Sequence, residues 1–298
     1  MSEDLPIRPL SAAEVEMAVE WAAREGWNPG LADAAAFRAQ DREGFLGLFA
    51  HGELAATLSA VRYGASGPGR AGFAFLGFYI CRPDLRGRGL GFRLWQAGMA
   101  RLAGCTIGLD GVVAQQANYA ASGFVLAHRN IRYGGVAAVG DGVPDARVIA
   151  VTPALRAAVA ACDTAHFGLP RPNFLALWLE PPVGAARVLV EDGTVTGYGV
   201  IRRCREGFKI GPLFAPTAAG ARALFAALAV EAGRAEAGGV EAWGAPLFLD
   251  VPEPNGAARA LAEQAGLSPV FETARMYRGP APDLPLARIF GITSYELG

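Results

Sequence analysis

Charge of one sign is missing from this chain of 298 residues: 27 basic residues stand against 28 acidic ones, for a formal net charge of −1. No global field therefore holds it on nucleic acid or an anionic membrane. Long apolar runs are missing too. A spanning helix needs roughly 18 uninterrupted apolar residues, and the longest candidate, residues 71–81, is too short and carries glycines. The opening MSEDLPIRPL holds acids and a proline where a secretory signal has a basic start and an apolar core, so a cytoplasmic location is expected. Cysteine is scarce: Cys81, Cys105, Cys162 and Cys204 never form a close pair, which argues against a disulfide framework or structural zinc. His51, His128 and His166 are equally scattered, and no metal is expected. Apolar mass is what the chain has. At 52% hydrophobic with mean hydropathy +0.25, it excludes bulk disorder and can fill the cores of about two domains at roughly 150 residues each.

The two halves echo one another. FLGLFAHGELAATLSAVR (45–62) reads as strand, turn and strand, and RVLVEDGTVTGYGVIRR (187–203) repeats the layout around Asp192-Gly193. Asp110 in GLDGV aligns with Asp250 in FLDVP, and Arg132 aligns with Arg275, at offsets of about 140 residues. Three blocks in one order at a nearly constant spacing indicate duplication. Turn residues crowd at 134–147, so the boundary is placed there, giving domains 1–138 and 139–298. Ser11 to Glu14 is a capping box opening a helix to about Glu25, and Thr152-Pro153 starts a helix in the second half. In the first half, helices over 31–41, 90–103 and 114–121 mix with strands near 45–50, 54–62, 73–81, 105–110 and 124–133. That order implies a mixed sheet, parallel only locally.

Chemistry concentrates in GFAFLGFYICRPDLRGRGLGFRLWQAGMARL (72–102). An apolar strand ends at Cys81, and Arg86-Gly87-Arg88-Gly89-Leu90-Gly91 leads into a helix. The glycines let the backbone approach a ligand, and the first N–H groups of the helix make an anion site. Arg82, Arg86, Arg88 and Arg93 add charge suited to phosphate. A Walker A loop would need Lys-Ser/Thr where this chain has Phe92-Arg93. A dinucleotide fingerprint would need a third glycine where Phe92 stands. A glycine-rich turn with no ligand is the plain alternative.

Arg86, Gly89 and Gly91 match the Arg-x-x-Gly-x-Gly of the GNAT superfamily of N-acetyltransferases, and Tyr119 to Phe124 match its Tyr-x-x-x-Gly-Phe. The chain resembles that superfamily over about residues 7–133, followed by a second GNAT-like domain. The resemblance implies an α+β fold, a mixed α/β sandwich of two domains, each with a mainly antiparallel twisted sheet flanked by helices. It implies acetyl-CoA as co-substrate, with the pyrophosphate on Arg86, Gly87, Arg88, Gly89, Leu90 and Gly91. The pantetheine would lie along Tyr79, Ile80 and Cys81, with Asn118 beside it. Tyr119 would be the acid for the departing thiolate, and transfer to a primary amine of a small molecule or an N-terminus would need no acyl-enzyme. Asp110 is a weaker candidate for the base, since residues 73–81 carry no carboxylate. Cys81 reads as a core residue rather than a nucleophile, and His128 as an ordinary strand residue. His166 with Asp163 and Arg171 is read as a loop that faces the acceptor.

The second half lacks the machinery. Aligned by their prolines, residues 215–224 put Ala219, Arg222 and Leu224 opposite Arg86, Gly89 and Gly91, and Ala262 meets Tyr119. One acetyl-CoA site per chain follows, with the second domain forming the acceptor pocket, through Asp163, Arg171, Asp250 or Asn255, or subunit contacts. The expected partner is a small-molecule amine rather than nucleic acid or membrane, and a homodimer is allowed. A non-catalytic acyl-CoA-binding or sensor protein is the alternative.

Overall fold

The computed structural model describes residues 5–64, 72–138, 145–236 and 244–298. The turn-rich stretch assigned to the boundary lies partly outside them. The first half contains β1 (Ile7–Pro9), α1 (Ala12–Arg24), α2 (Asp33–Gln40), β2 (Phe45–Ala50), β3 (Glu53–Tyr63), β4 (Phe73–Cys81), α3 (Leu90–Arg101), β5 (Thr106–Val112), α4 (Gln116–Ala121) and β6 (Val125–Val136). The second contains β7 (Val148–Ala150), α5 (Arg156–Phe167), α6 (Pro172–Trp178), β8 (Gly184–Glu191), β9 (Thr194–Arg203), β10 (Phe208–Phe214), α7 (Ala218–Glu236), β11 (Pro246–Pro252), α8 (Gly256–Gln264), β12 (Ser268–Arg278) and β13 (Ile289–Gly291).

Local chemistry sets several of these boundaries. Ser11 and Glu14 form the capping box that starts α1, each satisfying the other's backbone N–H. His51-Gly52 and Asp192-Gly193 all take positive φ, the turn that joins β2 to β3 and β8 to β9. Thr152 makes no side-chain cap; a 3-10 turn at Pro153–Leu155 leads into α5 instead. Each half opens on a three-residue edge strand, too short for alternation to show in sequence.

The strands of the described residues join one sheet in the order β1-β2-β3-β4-β5-β12-β6-β11-β10-β9-β8-β7, with β13 on β10. Among the described residues only β4–β5 and β10–β11 are parallel. Strand β6 of the first half and strand β12 of the second cross over: β12 pairs with β5, and β6 pairs with β11, while β6 and β12 pair with each other at the centre. The aligned charges cross with them. Arg275 grips Asp110 at 2.6 and 2.8 Å, and Arg132 grips Asp250 at 2.6 and 2.8 Å, all four side chains buried. The related sequence positions are thus paired between halves, not within them.

One face of the sheet carries separate apolar cores, under α3 in the first half and under α7 and α8 in the second. The other face carries a single core shared by α1, α2, α5 and α6, where Phe37 stacks on Trp178 at 5.7 Å. Among the described residues no helix is long and apolar enough to cross a membrane.

Candidate active site

The parallel pairing of β4 with β5 runs from Phe73–Thr106 to Leu76–Leu109 and stops. Past that point β4 bulges: its register with β3 shifts, and Phe78 takes φ +47°, its carbonyl held by Thr57 Oγ1 at 2.8 Å. β5 continues straight along β12 to Val112. The parted strands enclose a cleft of about 660 Å³ with Tyr79, Ile80 and Cys81 on one wall and Leu109 to Val112 and Tyr119 on the other. The splayed edge of β4 leaves backbone groups without a strand partner on that side, so an extended ligand can pair with it.

Gly87, Gly89, Leu90 and Gly91 form the mouth. Gly87 and Gly89 take φ +76° and +77°, and a Cβ on either would meet nothing within 4 Å. Glycine is needed there for backbone conformation, and the rim stays open. Gly89 caps α3, whose first-turn N–H groups have no helical acceptor and point toward the mouth's rim. Arg86 lines the cleft but staples the loop: Nε donates to Cys81 O at 2.9 Å, and the guanidinium pairs with Glu25 at the C-terminal cap of α1. Arg82 is paired with Asp84 and Glu53. Arg88 and Arg93 stay exposed.

Tyr119 reaches the cleft from α4 across Gly111, where a Cβ would lie 2.3 Å from its ring. Trp95 stands between the two cleft tyrosines, at 5.3 Å from Tyr79 and 5.7 Å from Tyr119. Burial, with Tyr79 nearby, pushes the Tyr119 hydroxyl up to about 12. Tyr119 therefore keeps its proton at neutral pH. It can donate a hydrogen bond to a developing thiolate, but full proton transfer to a thiolate of pKa about 8.5 would run uphill. Burial also pushes the Cys81 thiol up, which suits a wall residue and not a nucleophile.

Of the residues singled out in sequence, Tyr79, Ile80, Cys81, Arg86, Gly87, Gly89, Leu90, Gly91 and Tyr119 share this cleft; Arg88 and Asn118 do not line it. Asn118 is exposed and donates to Gln115 Oε1 at 2.6 Å. Asp110 lines the cleft, yet both its oxygens are held by Arg275 and Asn130. Burial, then Arg275, lowers His128 to about 4, so its imidazole is neutral at pH 7.

The segment around His166 corrects the expectation of an acceptor loop. It is the end of helix α5 and the turn into α6, and Asp163 and Arg171 form a buried ion pair joined by Thr293 and Tyr198. His166 stacks on Phe214 at 4.8 Å. Asn255 caps α8 and donates to Leu286 and Ile289 carbonyls. None of these residues, nor Asp250, lines the cleft. The second half contributes instead Phe271 and Thr273 on β12 and Tyr295 and Glu296 beyond β13. No motif marks them, because the strand exchange that brings them in is a long-range event.

In the second half β10 and β11 part in the same way after Ile210–Leu249. The slot so formed is filled: β13 lies along β10 at Leu213 and Phe214, and Ile292 N–H donates to Asp250 O at 2.9 Å. Gly211 stands where Gly77 stands in β4, and both face the final segment. A Cβ on Gly211 would lie 2.5 Å from Thr293 O, and one on Gly77 2.3 Å from Glu296 O.

Residues 13–125 match the model of the acetyltransferase (GNAT) family, and residues 159–291 match that of an acetyltransferase (GNAT) domain. Holothin acyltransferase of Pseudoalteromonas sp. (strain SANK 73390) is 31% identical over 292 residues, 98% of this chain and 94% of that protein. A candidate acetyltransferase from Pyrococcus horikoshii has a similar fold, with TM-score 0.76, 21% identity and coverage of 99% of this chain and 96% of that one. A tandem GNAT protein from the clavulanic acid biosynthesis pathway superposes with TM-score 0.64 at 17% identity, covering 94% of this chain and all of the other.

Proposed function

The chain belongs to the GNAT acetyltransferase family, in two fused copies, and from that premise we propose that it transfers acetyl from acetyl-CoA to the primary amine of a small molecule. The observation that carries this reading is the continuous path from the rim at Gly87–Gly91, along the splayed edge of Tyr79–Cys81, to Tyr119. The N–H groups at the start of α3 hold the pyrophosphate, and the helix dipole adds to the attraction. The edge of β4 pairs with the pantetheine amides and fixes the thioester beside Tyr119. The acceptor nitrogen forms its bond to the carbonyl carbon, the C–S bond breaks onto sulfur, and the Tyr119 hydroxyl donates to that sulfur. A small acceptor is supported by the second-half residues Phe271, Thr273, Tyr295 and Glu296, which add a wall to the cleft. The relative named holothin acyltransferase is named for acyl rather than acetyl transfer, so longer acyl-CoAs belong in the same screen.

Calorimetric titration with acetyl-CoA should give one site per chain, because β13 occupies the second slot. Thiol release should then appear with a panel of primary amines. Two equivalent sites, or no thiol release with any amine, would overturn the reading. Tyr119→Phe should lower kcat by about 10- to 100-fold and leave the acetyl-CoA Kd within about twofold. Gly89→Val should do the reverse. It forces a branched side chain to positive φ, at about 1–2 kcal/mol, on the rim, so the Kd for acetyl-CoA should rise about tenfold with little change in the acceptor KM.

A further inference from the structure

Among the described residues that line the cleft, Glu296 and Thr273 each carry a buried side-chain oxygen without a hydrogen-bond partner, Oε1 and Oγ1; Asn130, beside Thr273 on the neighbouring strand, has another but does not line the cleft. Glu296 is 3% and Thr273 2% exposed, and both line the cleft. Leaving such an atom buried and unpaired costs about 1–3 kcal/mol, a cost that a ligand group hydrogen-bonded to it would remove. An ionised carboxylate only accepts, so the ligand group that meets Glu296 is a hydrogen-bond donor, and the Thr273 hydroxyl can accept from the same group. Asp110, the other carboxylate here, has no oxygen to spare.

Position strengthens the assignment. The backbone of Glu296 crosses β4 at Gly77, two residues before the Tyr79 edge, and only the missing side chain of Gly77 admits it. The segment is pinned on both sides of Glu296. The Tyr295 ring lies 4.7 Å from the Arg132 guanidinium, and Tyr63 Oη donates to Leu297 O at 2.8 Å. We propose that Glu296 and Thr273 hold the acceptor amine and that Glu296 takes its proton as the N–C bond forms. The step deepens the acetyl-transfer reading and rests on it. The amine lone pair bonds to the carbonyl carbon, the C–S electrons pass to sulfur, and the ammonium proton passes to Glu296; nothing is oxidised or reduced.

The charged groups around Glu296 are Lys209 on β10, Arg132 on β6, Arg202 on β9 and Asp33 on α2, with Asp250 on β11 paired to Arg132 and Asp110 on β5 lining the same cleft. Burial raises the Glu296 carboxyl above its usual range, and Lys209 and Arg132 oppose that rise. A raised carboxyl is the better proton acceptor.

Steady-state kinetics of the full chain test the proposal. Glu296→Gln should lower kcat/KM for the amine by about 100-fold, remove one ionisation from the acid limb of its pH profile, and leave the acetyl-CoA Kd within twofold. Thr273→Val should raise the acceptor KM about tenfold with kcat within threefold. If Glu296→Gln does not fold, Glu296→Asp, which withdraws the carboxylate by one methylene, decides: lost kcat supports the role, and wild-type kcat overturns it. Wild-type turnover with an unaffected Glu296→Gln removes this proposal alone. Wild-type protein that neither binds acetyl-CoA nor releases thiol removes the acetyl-transfer reading first.

Discussion

Expressed without its second half, the segment 1–138 should fail to give a stable monomer that binds acetyl-CoA. Cutting there leaves β5 without β12 and β6 without either of its partners, β12 and β11, so backbone at the centre of the sheet is left unpaired. It also strips Asp110 of Arg275 and Arg132 of Asp250. Removing one partner of a buried pair costs about 3–5 kcal/mol, so two such losses match the whole stability of a typical domain, about 5–15 kcal/mol. One escape is open. Because Arg132 is the repeat equivalent of Arg275, two copies of the half can exchange their β6 strands and seat Arg132 of each against Asp110 of the other. Light scattering after size exclusion should therefore show a dimer or aggregate. A monomer melting within about 5 °C of the full chain would refute the exchanged sheet as a stability requirement.

Local chemistry was legible in the sequence and long-range pairing was not. Ser11 with Glu14, the two hairpin turns and the glycines at 87, 89 and 91 act over a few residues, and each produced the element expected of it. The wall at Tyr79–Cys81 and the arrival of Tyr119 follow from strand and helix order. The repeat aligned Asp110 with Asp250 and Arg132 with Arg275, which is the symmetry of the fold, but an alignment carries no statement of which acid meets which base. Nothing local distinguishes β6 folding onto its own half from β6 crossing to β11. For the same reason Thr273 and Glu296 went unseen. Asp163 and Arg171 resemble a functional loop because a charged pair stands beside glycine and proline, whereas the fold buries both side chains, Asp163 on α5 and Arg171 at the cap of α6. Asn118 misled for a simpler reason: on a helix as short as α4, which side chain faces the cleft depends on how the helix docks.

Arg132→Met should destabilise the full chain by about 3–5 kcal/mol in urea at pH 7, while Arg132→Met combined with Asp250→Leu recovers most of that loss. The single variant strands a carboxylate that is 2% exposed, whereas the double variant removes both desolvated charges and refills the space with apolar volume. Acid separates the two. Burial alone would raise the Asp250 carboxyl, but the Arg132 guanidinium, by charge and two hydrogen bonds, outweighs burial and holds it below the usual range. A carboxylate whose folded pKa lies below its unfolded value of about 3.9 contributes stability that is present above that pH and is lost as pH falls through the folded value. The wild-type advantage over the double variant should accordingly be constant from pH 7 to about pH 4 and shrink below it. A difference that stays flat down to pH 3, with circular dichroism showing both proteins folded at the start of each titration, would mean that the Asp250 carboxyl is no more acidic folded than unfolded. The crossed pairs would then hold the halves in register without the charge coupling that their geometry implies.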